Sequence, residues 1–347
     1  MTTTSGVRLS VLDLAGVGVG ISVSDALATT TALAVRAEQL GYHRFWVAEH
    51  HGMPAVASAA PAVLLAHLGA RTSTIRLGSG GVMLPNHAPM VIAEQFGTLA
   101  ALYPGRIDLG LGRAPGSDQL TAYALRRRMA PSPGAVNTDD FGDQIAELVH
   151  FMQADFPADH PFSTIRTTPA IPVPLYILGS SDYGARLAAK LGLPYAFAHH
   201  FAGAGGNTGA ALDLYRSLFR PSEVLAEPYP MIGVSALAAD TEDEARYQAR
   251  AGALSMLLLR SGRLQEIPSP EQAAAYPYSP PELDLLQAMG RTEVVGSAEQ
   301  VADGLDELAD RFGVREMIIS TRAHGQDAKL RSMELIAMAY RAVPVER

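Results

Sequence analysis

Short apolar runs recur along this chain, and between them lie longer segments in which apolar residues return every three or four positions. The first runs are Leu9 to Leu14, Arg44 to Ala48, Ile75 to Ser79 and Ile107 to Leu111. Four more follow at Leu175 to Leu178, Tyr195 to Ala198, Met231 to Ser235 and Met317 to Ser320. Such runs, with few polar breaks, are what strands show when both faces are buried, as in parallel sheets. The intervening segments carry helix signals. Ser22 or Ser24 precedes Leu27, Leu33, Ala37 and Leu40, and Gly41 closes that stretch. Pro61 to Arg71 is the next helix, and another starts at Pro89 and ends at the Tyr103-Pro104-Gly105 turn. Thr138 to Gln153, Asp182 to Leu191, Thr208 to Phe219 and Thr241 to Leu259 read the same way. Ser297 caps a helix to Phe312, and a last helix reaches Arg341.

Strands alternating with helices predict a parallel sheet, and eight such units close as a (β/α)8 TIM barrel. An open doubly wound sheet is the rival and usually has fewer strands. The expectation is one barrel domain over residues 1–347 with insertions. One insertion is the proline-rich stretch Phe156 to Pro174. Another is Ser261 to Arg291, whose position within 260–295 suits a lid over the site.

Barrel enzymes carry their reactive groups at the carboxyl ends of the strands. Those positions here hold Glu49-His50-His51, Gly80-Gly81, Arg113, Ser180-Ser181, His199-His200 and Thr321-Arg322. The set is polar, basic and rich in glycine, which suits a planar, phosphorylated ligand. Imidazole exchanges protons near neutrality, so Glu49, His50 and His51 form the candidate reactive centre. Glycines at 80 and 81 let a flat ring approach the backbone. Arg113, with Gly179, Ser180 and Ser181 opening a helix, offers a guanidinium fork, hydroxyls and free N–H groups to a phosphate.

Other readings of these motifs are weaker. Gly16-Val17-Gly18-Val19-Gly20 and Gly110 to Gly116 both miss the dinucleotide spacing and read as barrel loops. Glu49-His50-His51 has metal-binding residue types, but neighbours on a strand point to opposite faces, so no metal site is expected. His199 and His200 either border the site or satisfy core hydrogen bonds. The Gly203 to Gly206 stretch reads as a flexible loop, and Arg126-Arg127-Arg128 as a solvated face or lid rim.

Composition narrows the class. Of 347 residues, 48% are hydrophobic and 18% charged, ample for a globular core. The net charge of −8 argues against nucleic acid or an anionic membrane as partner, both of which select basic surfaces. The lack of cysteine removes thiolate chemistry and disulfides. No apolar run nears the roughly 20 residues of a membrane span, and no signal peptide opens the chain, so a cytoplasmic protein is expected.

Taken in order, Arg44 to His51, Leu77 to Pro85, Ala93-Glu94-Gln95, Gly105 to Arg113, Leu178 to Ser181 and Val301 to Leu305 resemble the bacterial luciferase-like monooxygenase family. The resemblance covers nearly the whole chain. It implies a barrel that binds reduced FMN, delivered by a separate NAD(P)H:flavin reductase. Dioxygen then forms a C4a-peroxyflavin that oxidises a small organic substrate. It also implies that His50 is the acid/base beside the flavin and that Glu94 is a nearby carboxylate. Gly80 and Gly81 match a pair joined by a cis peptide bond beneath the isoalloxazine ring. Arg113, Ser180 and Ser181 match the phosphate contacts, with His51 and Glu49 in support. A homodimer follows from the resemblance alone. Two positions depart from the pattern: Gly112 stands where members often have a cysteine, and Gly184 where a hydroxyl often meets the phosphate. Within the same fold the alternatives are an F420-dependent hydride-transfer enzyme and a non-catalytic flavin-binding protein.

Overall fold

In the computed structural model, the described residues are 6–114, 116–126, 141–202 and 207–340. Eight parallel strands close into a barrel in the order β1 (Arg8–Asp13), β2 (Arg44–Val47), β3 (Arg76–Met83), β4 (Ile107–Gly112), β5 (Leu175–Gly179), β6 (Tyr195–Phe197), β7 (Pro230–Ala239) and β9 (Glu316–Ser320), which returns to β1. The expected barrel is therefore present, with all eight anticipated strands. A ninth strand, β8 (Glu293–Ser297), pairs with the carboxyl half of β7 outside the closed ring. Sequence pattern missed β8 because it is a short, half-buried edge element with no continuous apolar run.

Around the barrel lie α1 (Val23–Leu40), α2 (Pro61–Gly69), α3 (Pro89–Leu102), α4 (Gln119–Arg126), α5 (Phe141–Gln153) and α6 (Asp182–Leu191). They are followed by α7 (Thr208–Leu218), α8 (Glu242–Arg260), α9 (Pro270–Ala275), α10 (Pro280–Gly290), α11 (Ala298–Phe312) and α12 (Gln326–Tyr340). The caps act as the sequence suggests. Ser22 accepts from the Asp25 N–H at 3.1 Å, and Gly41 ends α1 with φ 77°, a left-handed conformation that glycine adopts without a Cβ penalty. Ser297 forms a full capping box with Gln300.

One reading needs correction. The arginine-rich stretch after β4 contains α4, and Arg126 is buried, donating from Nε to Asn86 Oδ1 at 2.7 Å. It is no solvated face; Arg127, Arg128, the start of the 138–153 helix and the 203–206 loop lie outside the described residues. The Ser261 to Arg291 insertion contains α9 and α10 joined by irregular chain. Ala273, Tyr276, Tyr278, Leu285 and Leu286 pack there on Leu254, Leu257 and Leu258 of α8.

Strand alternation divides the core in two. Phe45 and Val47 of β2 face the helices, while Trp46 points into the barrel with Tyr176, Ala196, Met231 and Ile318. The amino end of the barrel interior holds a closed ionic network. Arg44 donates to Glu316 Oε1 and Asp108 Oδ2, both at 2.7 Å, and Arg76 also binds Asp108. Glu316 further accepts from Ser10 at 2.6 Å and Tyr229 at 2.7 Å. This floor leaves the opposite end of the interior for a site.

Candidate active site

At the carboxyl ends of the strands the interior opens into a cavity of about 340 Å³, a volume typical of small-molecule sites. Gly80, Gly81, His50, Arg113, Gly179, Ser180 and Ser181 all line it, so the structure gathers most of the residues expected of a flavin site. The Gly80–Gly81 peptide is cis. Neither position has room for a side chain. A Cβ on Gly80 would stand 2.7 Å from Leu12 Cδ1, and one on Gly81 would stand 2.7 Å from the Gly110 carbonyl oxygen.

The Glu49-His50-His51 tripeptide, in the loop after β2, splits across the wall. His50 turns to the cavity, and its Nδ1 is buried with no hydrogen-bond partner among the described residues. Burial lowers the His50 pKa against the opposing pull of Glu49, so the imidazole is neutral near pH 7. Its backbone N–H is tied to the Ser58 carbonyl at 3.0 Å, which fixes the loop. Glu49 and His51 point the other way and do not line the cavity. The Glu49 carboxylate is fully buried and accepts from His51 Nε2 at 2.8 Å, His87 Nε2 at 2.7 Å and the Met83 N–H at 3.1 Å. Burial alone would raise its pKa; these donors, His87 foremost, reverse that and hold Glu49 ionised. Glu49 thus clamps the loop behind His50 to the end of β3. Among the described residues no cluster of three or more histidine and carboxylate groups could hold a metal. His87 carried no sequence signal, since nothing in its spacing links it to residue 49.

Glu94 is not part of this wall. It sits half-exposed on α3 and is absent from the cavity lining, because the register of α3 turns Ala93 and Phe96 inward instead.

Across the cavity, Ser181 is the N-cap of α6 with extended backbone, yet its side chain makes no capping bond. Its hydroxyl and the open N–H groups of the first turn are therefore uncommitted. The Arg113 guanidinium lies over the Tyr183 ring, 4.1 Å from its centroid, beside this helix start. Stacking fixes the plane of the fork while leaving its N–H donors free. A Cβ on Gly184 would meet Tyr195 Cε2 at 3.1 Å, so a hydroxyl-bearing side chain there would be crowded. A Cβ on Gly112 would press on Met83 Sδ at 3.0 Å.

The adjacent histidines after β6 divide between the two readings left open. His199 bonds Thr208 Oγ1 at 2.8 Å and packs on Phe312, a structural role. His200 lines the cavity, with Nδ1 2.9 Å from the Gly233 carbonyl oxygen. A carbonyl only accepts, so Nδ1 carries the hydrogen and Nε2 keeps its lone pair. Burial, helped by the Arg322 charge, pushes the His200 pKa down to about 3. Among the charged lining residues, Asp13 and Lys329 were not singled out by the sequence reading. Lys329 had a signal: it shares the buried face of α12 with Ser332, Met333 and Ile336, where a charge is out of place.

Comparison with known proteins agrees with this arrangement. The pattern of the luciferase-like monooxygenase family matches residues 7–316. A luciferase-like monooxygenase of Escherichia coli (strain K12) is 44% identical over 335 residues, covering 96% of this chain and 97% of that protein. An N-acetyl-S-alkylcysteine monooxygenase of Bacillus subtilis (strain 168) is 35% identical over 335 residues, covering 96% and 98%. The crystal structure of apo-MsnO8 superposes with a TM-score of 0.86 at 35% identity, covering 97% and 99%. At 16% and 17% identity the fold alone is shared with two further structures. They are an FMN-bound Baeyer–Villiger monooxygenase component from Pseudomonas putida, with a TM-score of 0.69, and an F420-dependent secondary alcohol dehydrogenase, with a TM-score of 0.66. Matching pattern, identity and architecture agree: the chain belongs to the luciferase-like monooxygenase family.

Proposed function

We propose that the protein is an FMN-dependent monooxygenase that receives reduced FMN from a separate NAD(P)H:flavin reductase and uses dioxygen to oxidise a small organic molecule. One observation carries the reading. One cavity is lined by a cation and a helix start, Arg113 with Ser180 and Ser181, and by His50, whose buried Nδ1 has no partner among the described residues. That is the donor set a phosphorylated, heteroaromatic cofactor needs at its two ends. The monooxygenase names of relatives at 35% and 44% identity favour FMN over F420.

When bound, reduced FMN supplies the two electrons with which dioxygen is activated. The protein's own part is to hold and shield. Arg113, Ser180, Ser181 and the α6 amino end hold the phosphate, charge-assisted and helped by the helix dipole. Gly80 and Gly81 give the ring a floor without side chains. His50, neutral and oriented by the Glu49 clamp behind it, gives or takes a proton at its cavity-facing edge. Residues 263–265 and 267 of the insertion form part of the cavity rim, and α9 and α10 anchor that rim on α8, as a lid that excludes water would require. A cytoplasmic homodimer completes the reading.

The phosphate assignment is tested by titrating FMN and riboflavin into the protein and its Arg113→Ala variant. FMN affinity should fall by about tenfold to a hundredfold, the worth of a hydrogen bond to a charged group, while riboflavin, which lacks the phosphate, is unaffected. Equal losses for both flavins would remove Arg113 from the phosphate.

A further inference from the structure

The cavity is strongly cationic in a chain of net charge −8. Arg113, Arg263, Arg322 and Lys329 line it, against one acid, Asp13. Three of the four cations have occupations. Arg113 serves the phosphate end in the reading above. Arg263 donates to Tyr276 and to Glu282, each at 2.7 Å, and Arg322 lies 3.8 Å from Glu293. Lys329 is different. It is 4% exposed, and among the described residues its side chain makes no hydrogen bond or ion pair.

Asp13 does not fill the gap. Its Oδ2 is committed to the Thr30 hydroxyl at 2.5 Å and the Ala15 N–H at 3.0 Å, and it forms no ion pair with Lys329. The ammonium instead lies beside the backbone where β1 ends: Nζ is 3.2 Å from the place a Cβ on Gly16 would take. Gly16 thus leaves open the space into which Lys329 reaches. Burial lowers the Lys329 pKa, and the Asp13 charge only partly restores it. An ammonium carries three donors, and those of Lys329 are open to whatever occupies the cavity that it lines. The walls that share the cavity with it, among them Val56, Ile267, Met256 and Leu259, are apolar.

We propose that Lys329 binds a carboxylate of the substrate, so that the molecule oxidised in this cavity is a small organic acid with an apolar body. This rests on reading the cavity as a flavin monooxygenase site. Arg113 takes the cofactor phosphate at the β4 and β5 ends, and Lys329 takes the substrate's anion at the β1 and α12 side. The two cations give the cavity two anchors for anions, with apolar surface between them.

Trp46 is the single tryptophan of the chain and lines the same cavity, so its fluorescence reports occupancy. The test titrates octanoate and its uncharged isostere octanamide into the full chain, with and without FMN. Octanoate should bind at least about tenfold more tightly, the difference expected when a buried ammonium meets a charged rather than a neutral acceptor. Lys329→Met should abolish that preference and Lys329→Arg should keep it; Lys329→Gln replaces Lys329→Met should the latter not fold. Equal affinity for the two probes in the unaltered protein overturns the proposal. So does a preference that survives Lys329→Met, or a Lys329→Met variant that loses FMN but not octanoate. The cofactor reading fails separately: a protein that binds no FMN yet prefers octanoate through Lys329 keeps the anion site and loses the flavin.

Discussion

The two ends of the barrel interior are built from the same kinds of residue and treat them oppositely. At the amino end, Arg44, Asp108, Glu316, Ser10 and Tyr229 satisfy one another at 2.6–2.7 Å. At the carboxyl end, His50 Nδ1 has no partner, Ser181 declines to cap its helix and Lys329 reaches into the cavity unpaired. Both ends bury charge or polarity, so burial alone does not mark a site. Saturation does. A closed network commits its hydrogen-bonding capacity to holding strands in register, whereas open valences in a cavity wall are available to a ligand.

The contrast breaks first at Arg44. Arg44→Met would leave Asp108 and Glu316 buried without their shared cation, and unfolding in urea should show a loss of about 3–5 kcal/mol. A loss below about 1 kcal/mol would reduce the network to the weight of surface pairs. The same kind of change at the carboxyl end should cost function instead. His50→Asn should fold and bind flavin as before while turnover falls by about a hundredfold to ten-thousandfold, the usual worth of a positioned acid or base. Because burial lowers the His50 pKa, the acid limb of the pH–rate profile should lie below the ordinary imidazole value of 6.5. There the rate falls as pH drops and His50 becomes protonated, and the limb should vanish in His50→Asn. Unchanged turnover would return His50 to a structural role.

Much of this was legible in the chain because strand ends are local. Glu49-His50-His51, Gly80-Gly81, Arg113 and Ser180-Ser181 each follow an apolar run, and a closed parallel barrel brings all such positions to one rim. The division of His50 from Glu49 and His51 falls in the loop after β2, where the Glu49 bonds to His51 and His87 settle it. What the sequence hid is what depends on contact between distant segments. His87 meets Glu49 only through the turn after β3. Lys329 reaches the cavity from α12, not from a strand end, and Glu94 misses it by the rotation of α3. His199 and His200 are adjacent and chemically alike, and only their partners, Thr208 and Gly233, tell them apart. The edge strand β8 and the hairpin of α9 and α10 were hidden for a related reason: their burial comes from β7 and α8 and not from their own apolar pattern.

The most direct test of the central claim, that the unsaturated end of the barrel is built for reduced FMN, is an anaerobic titration of the protein with reduced FMN and with reduced F420, followed through Trp46. The account predicts saturable quenching by reduced FMN and much weaker binding of F420. Tight F420 binding with no affinity for reduced FMN would contradict it.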